Sequence, residues 1–153
     1  MINKIDTEIN YADEYNILGI VSTGSDYRLA HHINMALHIR FTKYEDFAFN
    51  SSGGKTRKYP WFYCFSEELK IKLYLIGNHH HSNKLLPEFK QIDYFIILEN
   101  NYDTQQLNEM VTALRKIKMV TAVFKLDMAK IKNPGHLIQK NELHEMEWVQ
   151  KQQ

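Results

Sequence analysis

The residues with chemistry to offer are two carboxylates just ahead of an apolar stretch, three adjacent histidines, one cysteine and a short basic run. Glu88 and Asp93 lie five positions apart in Leu86-Pro87-Glu88-Phe89-Lys90-Gln91-Ile92-Asp93-Tyr94. Two carboxylates brought together can divide acid and base roles, but these two meet only if the chain between them folds back. An aspartate entering an apolar strand also needs a partner, because an unpaired buried carboxylate gives up its charge. Arg28 or Tyr27, near the start of the first predicted helix, is expected to supply it. Arg28, Glu88, Asp93 and Tyr94 are thus the set that could bind and act on a small anionic molecule. The structural alternative has Glu88 capping backbone N–H groups near Pro87 and Asp93 locking helix to sheet.

Other chemistry finds less support. His79-His80-His81 cannot all face one metal on an extended chain, because successive side chains diverge. His31 and His38 are seven apart, about two helical turns, too far to chelate one ion. There is no His-Glu-x-x-His or Cys-x-x-Cys, so neither metal nor cofactor is expected. Cys64 sits among Trp61, Phe62, Tyr63 and Phe65 and reads as a buried, inert thiol. No Gly-x-Ser-x-Gly elbow is present. Gly54-Lys55-Thr56 matches the tail of a phosphate loop, but Phe49 stands where the first glycine belongs. The Ser22–Asp26 turn leads into a helix N-terminus, where Asp26 brings its own negative charge and disfavours a bound anion. Lys55, Arg57 and Lys58, followed by Tyr59, Trp61 and Tyr63, could hold nucleic acid by charge and stacking. Three large rings on one strand face are also what a core uses.

The elements that position these residues follow from periodicity. Residues 92–98 are apolar on both faces and read as an interior strand, entered extended because Pro87 pushes Leu86 out of the helical region. Strands are also predicted at 16–21, 41–49, 59–65, 69–76 and 120–128. In the second hairpin arm Ile71, Leu73 and Leu75 point inward, and Lys70, Lys72 and Tyr74 point to a face expected to be wet. In the last strand Ala122, Phe124, Leu126 and Met128 share one face. One helix starts at Ser25 or Asp26 and runs to about Ile39, with a stripe of Leu29, Ile33 and Leu37. A second starts at Asp103 or Thr104 and carries Leu107, Met110, Val111, Leu114 and Ile117. Residues 1–14 read as a loose lead-in. The expected fold is α+β: a mostly antiparallel sheet with two helices on one face, a ferredoxin-like βαββαβ unit with an inserted hairpin. Residues 1–133 form the single domain and 134–153 a C-terminal extension, its order left open.

The nonapeptide from Leu86 to Tyr94 also resembles a known signature. It is similar to the bacterial IPExxxVDY family, with Leu86 for isoleucine and Ile92 for valine. Ser25-Asp26-Tyr27-Arg28-Leu29 fits the same family. The resemblance implies a single-domain bacterial protein spanning nearly the whole chain, and it carries no activity with it.

Composition narrows the function classes. The 153 residues suit one domain, and 19 basic against 18 acidic residues give no overall attraction to nucleic acid or an anionic membrane. One cysteine excludes an internal disulfide, the N-terminus lacks the apolar core of a signal peptide, and no apolar run could span a bilayer. A cytoplasmic protein without a membrane segment is expected. The leading expectation is a module without catalysis of its own, which binds a protein partner or self-associates as a homodimer through a sheet edge or an aromatic patch. Trp61, Tyr74 and Trp148 are the candidate contacts. The rivals are an RNA-binding module using Lys55, Arg57 and Lys58, and a ligand-binding protein or enzyme using Arg28, Tyr27, Glu88, Asp93 and Tyr94.

Overall fold

A computed structural model describes residues 14–50, 54–99 and 103–152. The expected lead-in at 1–14 falls almost wholly outside these residues. Six strands form one antiparallel sheet in the order β10-β1-β9-β6-β5-β2. They are β1 (Tyr15–Ser22), β2 (Thr42–Lys43), β5 (Trp61–Ser66), β6 (Ile71–Gly77), β9 (Tyr94–Glu99) and β10 (Val120–Leu126). Two small hairpins stand outside it, β3 (Phe47–Phe49) with β4 (Arg57–Tyr59), and β7 (His79–His80) with β8 (Asn83–Lys84). The strand expected at 41–49 is therefore split between β2 and β3.

The α+β, mostly antiparallel expectation holds, and three helices replace the expected two. Helix α1 (Asp26–Leu37) begins at Ser25, whose hydroxyl accepts from the Arg28 N–H, and it ends at His38 in the left-handed region. Helix α2 (Thr104–Arg115) begins with a capping box, Asp103 and Gln106 each accepting from the other's backbone N–H. Their apolar stripes pack with Leu18, Ile20, Leu73, Leu75, Ile96 and Leu98 on one face of the sheet. Helix α3 (Pro134–Trp148) starts at an Asn133 cap with Pro134 in the first turn. It packs on the opposite face, over Trp61, Tyr63, Tyr74, Ile76 and Ile97.

That placement bears on the segment after residue 133 and corrects the expectations for Tyr74 and Trp61. The segment after residue 133 is part of the packed structure, with Leu137, Ile138 and Val149 at most 1% exposed. The face carrying Tyr74 is dry, because α3 covers it; Tyr74 is 1% and Trp61 0% exposed, so neither is a contact residue. Trp148 is half-buried. In edge strand β10, Val123 faces the α1–α2 core while Phe124 is 44% exposed on the α3 side. Ala122, Phe124 and Leu126 alternate with Val123 as expected, while β10 ends at Leu126 and Met128 opens a short 3-10 turn. Arg115 Nη2 donates to the Val123 carbonyl of that strand (2.7 Å).

The α3–sheet interface is unusually polar. Glu145, 3% exposed, accepts from the Tyr74 hydroxyl (2.6 Å) and from Gln150 (2.7 Å), and pairs with Lys72 Nζ (2.9 Å). Tyr15 donates to Glu142 (2.7 Å), and Trp61 Nε1 donates to Asn141 Oδ1 (2.8 Å). His144 Nε2 donates to the Glu45 carbonyl (2.7 Å). Burial lowers the His144 pKa from its ordinary value of 6.5, with the Glu45 carbonyl opposing. The unfolded chain then takes up this proton more readily than the native one. The stability involved is complete above about pH 6.5 and is lost as pH falls through the depressed native value. Tyr74, Tyr63 and Tyr15 run the other way. Burial first, and the nearby glutamates next, hold their phenols protonated well above the ordinary 10.0. Stability falls as pH rises past 10, where only the unfolded chain ionises. The urea midpoint is therefore expected to fall on both sides of a plateau. His144→Gln, which can still donate to Glu45, should show a shallower acid limb; an unchanged limb would remove His144 from the account.

Candidate functional site

A network of polar side chains gathers where the sheet ends beyond Gly77. The organising residue is Asn78, fully buried just after β6. Its side-chain amide donates to the carbonyls of Phe89 (3.1 Å) and Ile92 (2.8 Å), and its Oδ1 accepts from Leu86 N–H (2.9 Å). Its backbone N–H donates to Asp93 and its carbonyl accepts from Leu85. This one side chain thereby holds the single-turn helix Pro87–Phe89, the approach to β9 and the base of the β7–β8 hairpin. In the sequence Asn78 is one polar residue of the loop from Gly77 to Asn83. A buried amide saturated by backbone groups has no hydropathy signal.

Asp93 sits immediately before β9, half-buried, and not within the strand. Its Oδ2 accepts from Ser22 N–H and its Oδ1 meets His79 Nε2, both at 2.9 Å. Its own N–H donates to the Ile20 carbonyl (2.8 Å). The other ring nitrogen, His79 Nδ1, accepts from Lys84 Nζ (2.6 Å). That contact assigns the ring proton to Nε2, which donates to Asp93. The carboxylate therefore ties the end of β1 to the β7–β8 hairpin. Among the described residues no hydrogen bond or ion pair joins it to Arg28 or Tyr27, the partners expected for it. Tyr27 is 63% exposed and turns its ring edge-on to Phe62 (6.0 Å).

The set of Arg28, Glu88, Asp93 and Tyr94 does not assemble. Glu88 accepts from Lys132 N–H (3.1 Å) and fastens the Pro87 turn to the chain before α3. Tyr94 lies on the α1–α2 face, its phenol pKa pushed up to about 12 by burial, then by Asp26 and Asp93. Glu88 and Tyr94 thus serve opposite sides of the sheet. Cys64 is 4% exposed, and burial raises its thiol pKa. A protonated, enclosed thiol is a poor nucleophile. Among the described residues no group of three histidine, cysteine or acidic side chains could hold a metal ion.

The basic run fares differently. Tyr59, Trp61 and Tyr63 are 2%, 0% and 8% exposed, so these rings are core and not a stacking platform. Lys58 lies 4.0 Å from Glu45. Lys55 and Arg57, however, line a groove of about 360 Å³ between the β3–β4 and β7–β8 hairpins. Lys84, Phe49, Tyr59 and Pro87 also line it, together with polar Asn50, Ser82 and Asn83, and no carboxylate among the described residues does. A neighbouring hollow of about 560 Å³ shares Phe49 and Asn50 with it and adds His136 and Lys140. Lys84 was not singled out from sequence. Its relation to Lys55 and Arg57 exists only once both hairpins are docked.

No helix among the described residues is long and apolar enough to cross a membrane. Neither the models of known protein families nor the curated proteins include a match to this chain.

Proposed function

We propose that this chain is a small binding module without catalysis of its own, and that its ligand site is the cationic groove between the two small hairpins. One observation carries the reading: Lys55, Arg57 and Lys84 line one concavity to which no carboxylate among the described residues contributes. Clefts concentrate the field of their lining charges. The carboxylates and the thiol weighed as catalytic groups are meanwhile occupied elsewhere or enclosed. Asp93 holds Ser22 and His79, Glu88 holds Lys132, and Cys64 is buried.

The nonapeptide signature supports placing the chain with the IPExxxVDY proteins. The strand order β10-β1-β9-β6, with α1 and α2 on one face, supports a ferredoxin-like core extended by β5 and β2. A lone cysteine fits a reducing, cytoplasmic setting.

Backbone amide NMR with a panel of carboxylate, phosphate and sulfate compounds tests the site. Shift changes should concentrate at residues 54–59 and 82–87. They should vanish in the double variant Lys55→Glu, Arg57→Glu, whose two positions are exposed and half-buried. Changes confined to other surfaces, or none at all, would reject the groove as the site.

A further inference from the structure

We infer that the groove takes a phosphate monoester with a small apolar body, the oxyanion on Lys55, Arg57 and Lys84 and the body against Phe49 and Pro87. This deepens the reading of the groove as the binding site and rests on it. Three cations on one concavity call for a ligand that brings more than one negative charge. A phosphate monoester does so near neutral pH, whereas a simple carboxylate brings one. The planar guanidinium of Arg57 can take two oxygens of a phosphate, and the lysines add point charges. The rest of the lining is of another kind, with Phe49, Tyr59 and Pro87 offering apolar surface. About 360 Å³ suits a small organic molecule and exceeds what a bare inorganic ion needs. The large rings that would stack successive bases are enclosed, which weighs against a nucleic-acid strand.

Lys84 is already held for this task. Its ammonium donates to His79 Nδ1, and His79 is held in turn by Asp93, whose other carboxylate oxygen accepts from the Ser22 N–H. A phosphate oxygen is a stronger acceptor for that ammonium than an imidazole nitrogen. Binding draws Lys84 off the ring and leaves Nδ1 without its donor. His79 thereby becomes a reporter of occupancy on the far side of Lys84 from the ligand.

The test titrates the full chain with phenyl phosphate, inorganic phosphate, sulfate, citrate and a uridine decanucleotide, following backbone amides and the ring nitrogens of His79. Phenyl phosphate is expected to bind about tenfold tighter than inorganic phosphate, the apolar body accounting for the difference. Arg57→Gln and Lys55→Gln should each weaken it about tenfold, and Lys116→Gln, just past the end of α2, should leave it unchanged. Lys84→Gln should also weaken binding and abolish the His79 ring response. Should Lys84→Gln disturb the hairpin, the Arg57 and Lys55 variants decide alone. Sulfate binding as tightly as phenyl phosphate would overturn the inference. So would a decanucleotide that binds while the ester does not. Citrate shifting the groove while both phosphates fail would overturn the phosphate assignment and keep the binding module. Silence from every compound would remove both.

Discussion

Glu145→Ala is expected to cost about 3–5 kcal/mol of unfolding free energy, the range seen when one partner of a buried charged network is removed. Glu145 is 3% exposed and serves three groups at once: the Tyr74 hydroxyl, Lys72 and Gln150. Their fates differ. Lys72 has 36% of its side chain exposed, and Gln150 is at the surface, so both can turn to water. The Tyr74 hydroxyl, in a residue 1% exposed, cannot, and an unsatisfied buried hydroxyl costs about 1–3 kcal/mol. The remainder comes from the cavity left under α3. Tyr74→Phe is the informative contrast. It removes the donor and leaves Glu145 with Lys72 and Gln150, so a loss near 1–2 kcal/mol is expected. Urea unfolding of the two variants distinguishes the cases. If Glu145→Ala were no worse than Tyr74→Phe, Glu145 would not be the centre of the α3 contact.

Trp61→Ala is expected to be as damaging, by about 3–5 kcal/mol, the range for deleting a large buried ring. Trp61 is 0% exposed and touches ring neighbours on every side, with His144 closest at 4.5 Å between centroids and Tyr44, Tyr63 and Tyr74 near 6 Å. Its Nε1 is also the donor to Asn141, which is 1% exposed. The mutation therefore opens a cavity and leaves a buried amide oxygen unmet. For a domain of this size the melting temperature should fall by roughly 10 °C, taking about 2–4 °C per kcal/mol. Trp61→Phe keeps most of the volume and loses the donor, so it should fall between wild type and alanine. The double variant Trp61→Phe, Asn141→Leu should recover part of that loss, because the buried amide left unmatched is gone as well. No recovery would mean that packing alone sets the value. Both variants bear on α3, and a total stability of roughly 5–15 kcal/mol leaves little margin for either.

What the sequence determined by itself is local. The two apolar faces of residues 94–98 specified an interior strand, and β9 lies between β1 and β6. Apolar residues at spacings of three and four specified α1 and α2, and short polar side chains ahead of them specified the caps, Ser25 and Asp103. These signals rest on the geometry of a single segment, so one segment suffices to read them. Helix α3 shows where that reading ends. Its buried positions 137, 138, 141, 144 and 145 have regular helical spacing, yet three of them are Asn141, His144 and Glu145. Hydropathy saw a polar tail, because the partners that allow those groups to be buried lie on other elements: Trp61 on β5, Tyr74 and Lys72 on β6, and the Glu45 carbonyl ahead of β3.

The site followed the same division. That Asp93 required a partner was legible, because a carboxylate beside an apolar strand must be matched wherever it is buried. Which partner was not legible. The choice fell to His79 and the Ser22 N–H, as the Asn78 network brings the β7–β8 hairpin and the end of β1 to the same place. The groove is likewise a product of assembly. Lys55 and Arg57 come from one hairpin and Lys84 from another, roughly thirty positions along the chain, and charge converging across such a distance leaves no periodic trace.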